Sequence, residues 1–190
     1  MRCAAFLALA LCLAACSREP SWHATNITGS MPRLEFQMTR AGDDSPVSAA
    51  TYRGKVVLLY FGYTHCPDIC PTTLANLSDA LKRLGPRASD VRVLFVTVDP
   101  DRDMSKVLGE YVTAFAPEID GLRGSDDALA SLARRYRVAY SVMKEKGAYN
   151  VMHSEAVFFF DRHGCARLVT TSTENTSDIA YDVRHLLDGL

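Results

Sequence analysis

Cys66 and Cys70, separated by three residues, lie in the segment YFGYTHCPDICPTT (60–73). A thiolate is both a nucleophile and a soft metal ligand, so the pair admits a structural disulfide, a redox dithiol or a soft-metal site. A disulfide closing so short a loop constrains the unfolded chain little, which argues against a purely structural bridge. A metal site needs at least one more donor, and five histidines are available: His23, His65, His153, His163 and His185. His65 adjoins Cys66, but strand alternation aims its side chain away from that sulfur. His163 falls in a turn sequence, and His185 sits beside Leu186, where a partly buried structural imidazole is expected. His153 stands apart, in YNVMHS (149–154) directly before the apolar run EAVFFF (155–160).

Hydrophobic periodicity gives the elements that must position these groups. KVVLLYF (55–61) is a continuous apolar run of strand length, and Leu74, Leu77, Leu81 and Leu84 recur after it at helical spacing. VRVLFVTV (91–98) is a second buried strand; Val107, Leu108, Tyr111 and Phe115 mark a helix, and Leu129, Leu132, Ala133 and Tyr136 another that begins at Ser125. A strand, helix, strand order implies a parallel pair with a right-handed crossover. EAVFFF and residues 167–171 then flank Asp161-Arg162-His163-Gly164, a hairpin turn. A last helix, capped by Ser177 and Asp178, carries Ile179, Val183, Leu186 and Leu187. A βαβ unit joined to a ββα unit predicts an α/β domain of thioredoxin-like fold. Leu34–Met38 and a strand around Val47, closed by Gly42-Asp43-Asp44, add an N-terminal β-hairpin. In such a fold the start of the EAVFFF strand faces the Cys loop, which singles out His153. Pro71 suits the first turn of a helix and Pro67 keeps Cys66 out of it. Cys70 is then expected at the cap, with both thiols near the positive end of the helix dipole, where pKa values fall below the usual ~8.5. Asp99, Asp101 and Asp103 read as turn and cap residues rather than a hard-cation site.

The chain has 190 residues, 48% hydrophobic and 23% charged, enough to bury a core. Lys+Arg 21 against Asp+Glu 22 gives a net charge of -1, so no basic field exists to recruit nucleic acid. Residues 1–15, MRCAAFLALALCLAA, have Arg2 as their only charge and read as a signal peptide, too short for the ~20 apolar residues of a membrane span. Leu13-Ala14-Ala15-Cys16 resembles a bacterial lipobox, which implies cleavage before Cys16 and a lipid on its sulfur. Residues 16–32 then form a lipid-anchored tether and 33–190 the domain. Cys66, Cys70 and Cys165 remain as thiols in an oxidising compartment, and Cys165 is expected to be a packing bystander.

Three ordered motifs, YFGYTHCPDICPTT, VTVDPDRD (96–103) and VMHSEAVFFFDRHG (151–164), resemble the Sco/SenC family of copper-binding proteins over roughly residues 26–188. The resemblance implies a membrane-tethered thioredoxin-like domain that binds copper through Cys66, Cys70 and His153. It further implies a chaperone that helps metallate the binuclear copper site of cytochrome c oxidase. The implied partners are the oxidase subunit carrying that site and a thiol-reducing protein or another copper carrier. The implied location is the periplasmic side of the cell membrane, inner rather than outer. The residue before the histidine is often Asp in this family and is Met152 here, so no carboxylate is expected behind His153. Two thiolates and an imidazole suit Cu(I), and Cu(II) when a further ligand joins, whereas a closed structural zinc site wants four donors. The rival enzyme reading is a thiol-disulfide reductase with Cys66 and Cys70 as its redox-active pair, preparing the cysteines of the oxidase subunit. The spacing differs from the Cys-x-x-Cys of thioredoxins. General reductases of that fold also carry a proline before the strand facing their cysteines, and this chain has none after Pro117. An inert disulfide in an ordinary lipoprotein is the third reading.

Overall fold

Continuous apolar runs become the centre of a sheet because only strands buried on both faces can lose that much water-exposed surface. The computed structural model describes residues 21–145 and 148–190. The expected leader and the expected lipid attachment at Cys16 lie outside the described residues. The strands are β1 (Thr25–Asn26), β2 (Gln37–Arg40), β3 (Pro46–Ser48), β4 (Val56–Gly62), β5 (Val91–Thr97), β6 (Ile119–Arg123), β7 (Tyr140–Glu145), β8 (Ala148–His153), β9 (Val157–Phe160) and β10 (Ala166–Thr170). The helices are α1 (Ile69–Leu84), α2 (Ser105–Thr113), α3 (Asp126–Arg135) and α4 (Thr176–Leu187).

Eight strands form one sheet in the order β1-β10-β9-β4-β5-β6-β2-β3. β4 and β5 run parallel, Val56 opposite Val91 through Gly62 opposite Thr97, with α1 as the crossover between them. β9 lies antiparallel on the other side of β4, Tyr60 opposite Val157. Every residue of β4 is buried, as are Leu74, Leu77, Leu81 and Leu84 of α1 and Ile179, Val183, Leu186 and Leu187 of α4, and the two helices pack against each other. Each such side chain contributes about 1.5–3 kcal/mol by leaving water.

The expected N-terminal hairpin is β2–β3, which joins the sheet through β6, Thr39 opposite Arg123. Its turn uses positive φ at Gly42 (96°) and Asp44 (54°) and lies against α2 so closely that a Cβ on Gly109 would come 2.8 Å from the Gly42 Cα. Ser125 caps α3 as expected, accepting from the Ala128 N–H at 3.2 Å. α4, in contrast, is capped by Asn175, whose Oδ1 accepts from the amides of Ser177 and Asp178. Those two residues are the capped donors rather than the cap. Residues 21–32 also differ from the expected tether: β1 pairs with β10, and Trp22, Ala24, Ile27 and Met31 pack on the core. The reason is Asp182 of α4, buried at 1% exposure, which accepts from the backbone amides of His23 (3.1 Å) and Ala24 (2.8 Å). Among the described residues no helix is long and apolar enough to cross a membrane.

The periodicity also passed over β6 and the β7–β8 hairpin. Among the described residues β7 and β8 pair only with each other, Tyr140 opposite His153 through Glu145 opposite Ala148, as a separate two-stranded sheet.

Candidate metal centre

The Cys loop is the short connection from the end of β4 to the start of α1. Asp68 is the N-cap, so Cys70 is the second helical residue and not the cap. The Asp68 side chain makes no cap bond; the Cys66 Sγ instead accepts from the Cys70 N–H at 3.4 Å, a helix start closed by sulfur. Cys70 is fully buried and Cys66 half-buried. Below them Gly62 has no side chain for a reason: a Cβ there would lie 2.9 Å from the Cys70 Sγ and 2.6 Å from the Phe95 ring.

The low thiol pKa expected from the helix terminus does not hold for Cys70. Burial pushes this thiol up to about 12, and the Tyr63 backbone amide and Tyr60 hydroxyl only partly offset it. The Tyr60 hydroxyl, 3.7 Å from the sulfur, is itself pushed up, first by burial and then by Cys70.

His153 reaches this place from the end of β8. Its Nε2 lies 3.3 Å from the Cys70 Sγ, and Nδ1 lies 3.0 Å from the Ser154 carbonyl oxygen. With the Nδ1–H donated to that carbonyl, Nε2 keeps its lone pair toward the sulfurs. A backbone carbonyl thus takes the orienting role for which Met152 offers no carboxylate. Tyr63 and Tyr60 stand edge-on to the imidazole, with centroids 5.7 and 6.1 Å away. The donor atoms of Cys66, Cys70 and His153 all lie within 4.8 Å of one another. Three donors each about 2.2 Å from one ion would be about 3.8 Å apart, so the group fits a soft ion.

The remaining candidates are elsewhere. His65 Nδ1 faces Thr64 Oγ1 (3.0 Å) and an oxygen of Asp103 (3.6 Å). His185 bonds the Tyr181 carbonyl at 2.8 Å and packs at a tilt against the Tyr181 ring, which His23 meets edge-on. His163 lies in the β9–β10 turn with Cys165, near Phe160, which pairs with Val57 at the far end of β4 from the Cys loop. Cys165 is half-buried, 3.2 Å from Arg33 Nη1, and supplies nothing to the group. Met152 is 62% exposed and, by alternation, on the opposite face of β8 from His153.

The turn expected at the acids is present, the Asp99 carbonyl accepting from the amides of Arg102 (3.2 Å) and Asp103 (3.0 Å), but neither Asp99 nor Asp103 is a helix cap. Both are buried, and the N-cap of α2 is Met104. Asp103 accepts from Thr64 N (3.0 Å), Thr64 Oγ1 (2.6 Å) and Thr97 Oγ1 (2.6 Å), pinning the Cys loop to the end of β5. The signal for this in the sequence was the donors Thr97 and Arg102 interleaved with the acids.

A family profile described as SCO1/SenC matches residues 28–188. Protein SCO2 homolog, mitochondrial, of Bos taurus is 44% identical over 139 residues, covering 71% of this chain and 52% of that protein. Protein SCO1 homolog 1, mitochondrial, of Arabidopsis thaliana is 41% identical over 118 residues, covering 61% and 35%. The chain therefore spans about half the length, or less, of these curated relatives. Among solved structures, Bradyrhizobium japonicum ScoI with copper bound aligns at TM-score 0.74 and 32% identity over 82% of this chain and 99% of that one. Apo Sco1 of Thermus thermophilus aligns at 0.78 and 34%, over 88% and 98%. The fold is thus α/β and thioredoxin-like, as the order of elements predicted. Because the profile runs unbroken through the Cys loop, the buried acids and His153, the three motif likenesses are one continuous relationship: the chain belongs to the SCO1/SenC family.

Proposed function

We propose that the protein takes up copper between Cys66, Cys70 and His153 and delivers it to the binuclear copper site of cytochrome c oxidase, copper being its cargo. The observation that carries the reading is the convergence of two sulfurs and an imidazole nitrogen, contributed by segments 83 residues apart, within 4.8 Å. The softness of the donors favours Cu(I). The copper-bound relative and the functional role implied by the family support the same cargo and destination. Uptake requires both thiols reduced and expels the Cys70 proton. The Tyr60 hydroxyl then hydrogen-bonds the charged sulfur, while the Ser154 carbonyl holds the imidazole with Nε2 facing inward. A group of three donors leaves an approach for a ligand of the recipient, which suits handing on rather than storage.

Anaerobic Cu(I) titration of the purified full-length chain against a competing chelator tests this. One strong site is expected, abolished by Cys66→Ser or Cys70→Ser and weakened by His153→Ala. Wild-type affinity in either cysteine variant or in His153→Ala overturns it. The free thiols of Cys66 and Cys70 also favour a second reading, a reductase of an oxidase subunit's cysteines with the more exposed Cys66 as the attacking sulfur. Fast turnover of a disulfide substrate, undiminished in His153→Ala, would select that role. The reading places the mature chain on the periplasmic face of the inner membrane, anchored through Cys16. Labelling with a radioactive fatty acid, lost in Cys16→Ser, checks the anchor.

A further inference from the structure

The VTVDPDRD segment supplies no metal donor, yet Asp99 is 1% and Asp103 0% exposed. Buried carboxylates persist only where donors surround them, and here the donors form a chain. Thr64, two residues before Cys66, bonds Asp103 through its amide and its hydroxyl at 3.0 and 2.6 Å. The Thr97 hydroxyl donates to Asp103 at 2.6 Å and accepts from the Asp99 amide at 3.0 Å. Asp99 in turn accepts from the Tyr149 hydroxyl at 2.5 Å and from Arg102 Nε. The Arg102 guanidinium lies over the Tyr149 ring, 3.8 Å from its centroid, with Tyr63 at 5.8 Å.

Tyr149 and His153 are both on β8, four residues apart and therefore on one face of it. β8 belongs to the separate two-stranded sheet and, among the described residues, has no ladder bonds to the main one. Backbone pairing therefore does not hold β8 against the main sheet; apart from the short connection from His153 to Val157 at the start of β9, side chains hold the strand in place. The Tyr63 hydroxyl, 3.5 Å from the Val151 carbonyl, is a weak tie midway along the same strand.

We propose that Tyr149, Asp99 and Arg102 form a latch that sets the position of His153 relative to Cys66 and Cys70. They are positioning residues for copper binding, and the proposal rests on the reading of those three residues as the copper site. Tyr149→Phe deletes one hydroxyl and keeps the ring under Arg102, so the chain folds while the tie to Asp99 is lost. With the strand released, His153 samples positions out of reach of the ion, and affinity falls by the fraction of time it is away.

The test is a double-mutant cycle in the full-length protein, with Cu(I) affinity measured by chelator competition for wild type, Tyr149→Phe, His153→Ala and the double variant. Tyr149→Phe is expected to weaken binding about tenfold, as partners of metal ligands do, and to have no further effect once His153 is Ala. The visible spectrum of the Cu(II)-loaded Tyr149→Phe protein should shift toward that of His153→Ala, a change that general destabilisation would not produce. Wild-type affinity in Tyr149→Phe, or the same loss in both backgrounds, overturns the latch. Failure of the site reading appears separately, as wild-type affinity in the single variant His153→Ala.

Discussion

Burial of the Cys70 sulfur beneath Tyr60 makes its ionisation depend on the ion that displaces its proton. Because burial holds the thiol at about 12, Cys70 is protonated at neutral pH and each ion loaded must release that proton. The sign follows: falling pH adds competing protons, so Cu(I) affinity should drop about tenfold per pH unit for this one group. It should rise with pH until the thiol ionises unaided, near about 12. Competition titrations across neutral pH check this, and a flat profile contradicts it. Gly62 is the other residue on which the sulfur depends. A methyl group at that position would press on Cys70 Sγ and the Phe95 ring, at 2.9 and 2.6 Å. Gly62→Ala should cost about 1–3 kcal/mol in urea unfolding and weaken copper binding, since the sulfur must move. These two residues show where sequence reasoning reaches its limit. The Cys spacing and the proline flanks were legible, but the charge state of Cys70 depends on how deeply a helix end is buried, and that is not a local property.

At the scale of elements, helix ends and hairpins separate what local chemistry dictates from what packing decides. α4 begins one residue before Ser177, and Asn175 takes the amides that Ser177 and Asp178 present. Asn175→Ala should therefore cost about 1 kcal/mol in a denaturant midpoint shift, and Ser177→Ala should cost much less. Strong periodicity identified α1, α3, β4, β5 and the β9–β10 hairpin, because each has an unbroken apolar face. β7–β8 has no such face: exposed Met143 and Met152 lie on it alongside half-buried Val142 and Val151. Its pairing is visible only in three dimensions, although it delivers His153 to the site. Cys66, Cys70 and His153, whose donor atoms the fold brings within 4.8 Å of one another, were each named from the sequence, because motif order carried what strand periodicity did not.

For the whole molecule, the buried carboxylate of Asp182 binds the N-terminal segment to the last helix. Asp182→Ala leaves the His23 and Ala24 amides without an acceptor, at about 1–3 kcal/mol. Hydrogen exchange should quicken across residues 23–27 while copper affinity stays as in wild type; unchanged exchange would contradict the role given to Asp182. This contact, like the Tyr149–Asp99 bond across 50 residues of chain, joins parts that no periodicity relates. The β4-α1-β5 unit, the three later helices, the β9–β10 hairpin, the Cys loop between β4 and α1, and the nomination of His153 were legible in the sequence alone, because apolar runs, prolines and motif order act over short stretches. The folding of residues 21–32 onto the domain, the protonated state of Cys70 and the role of the buried acids were decided only by the tertiary structure. Burial and hydrogen-bond partnership belong to groups brought together from distant parts of the chain, and their energies exist only once those groups have left water together.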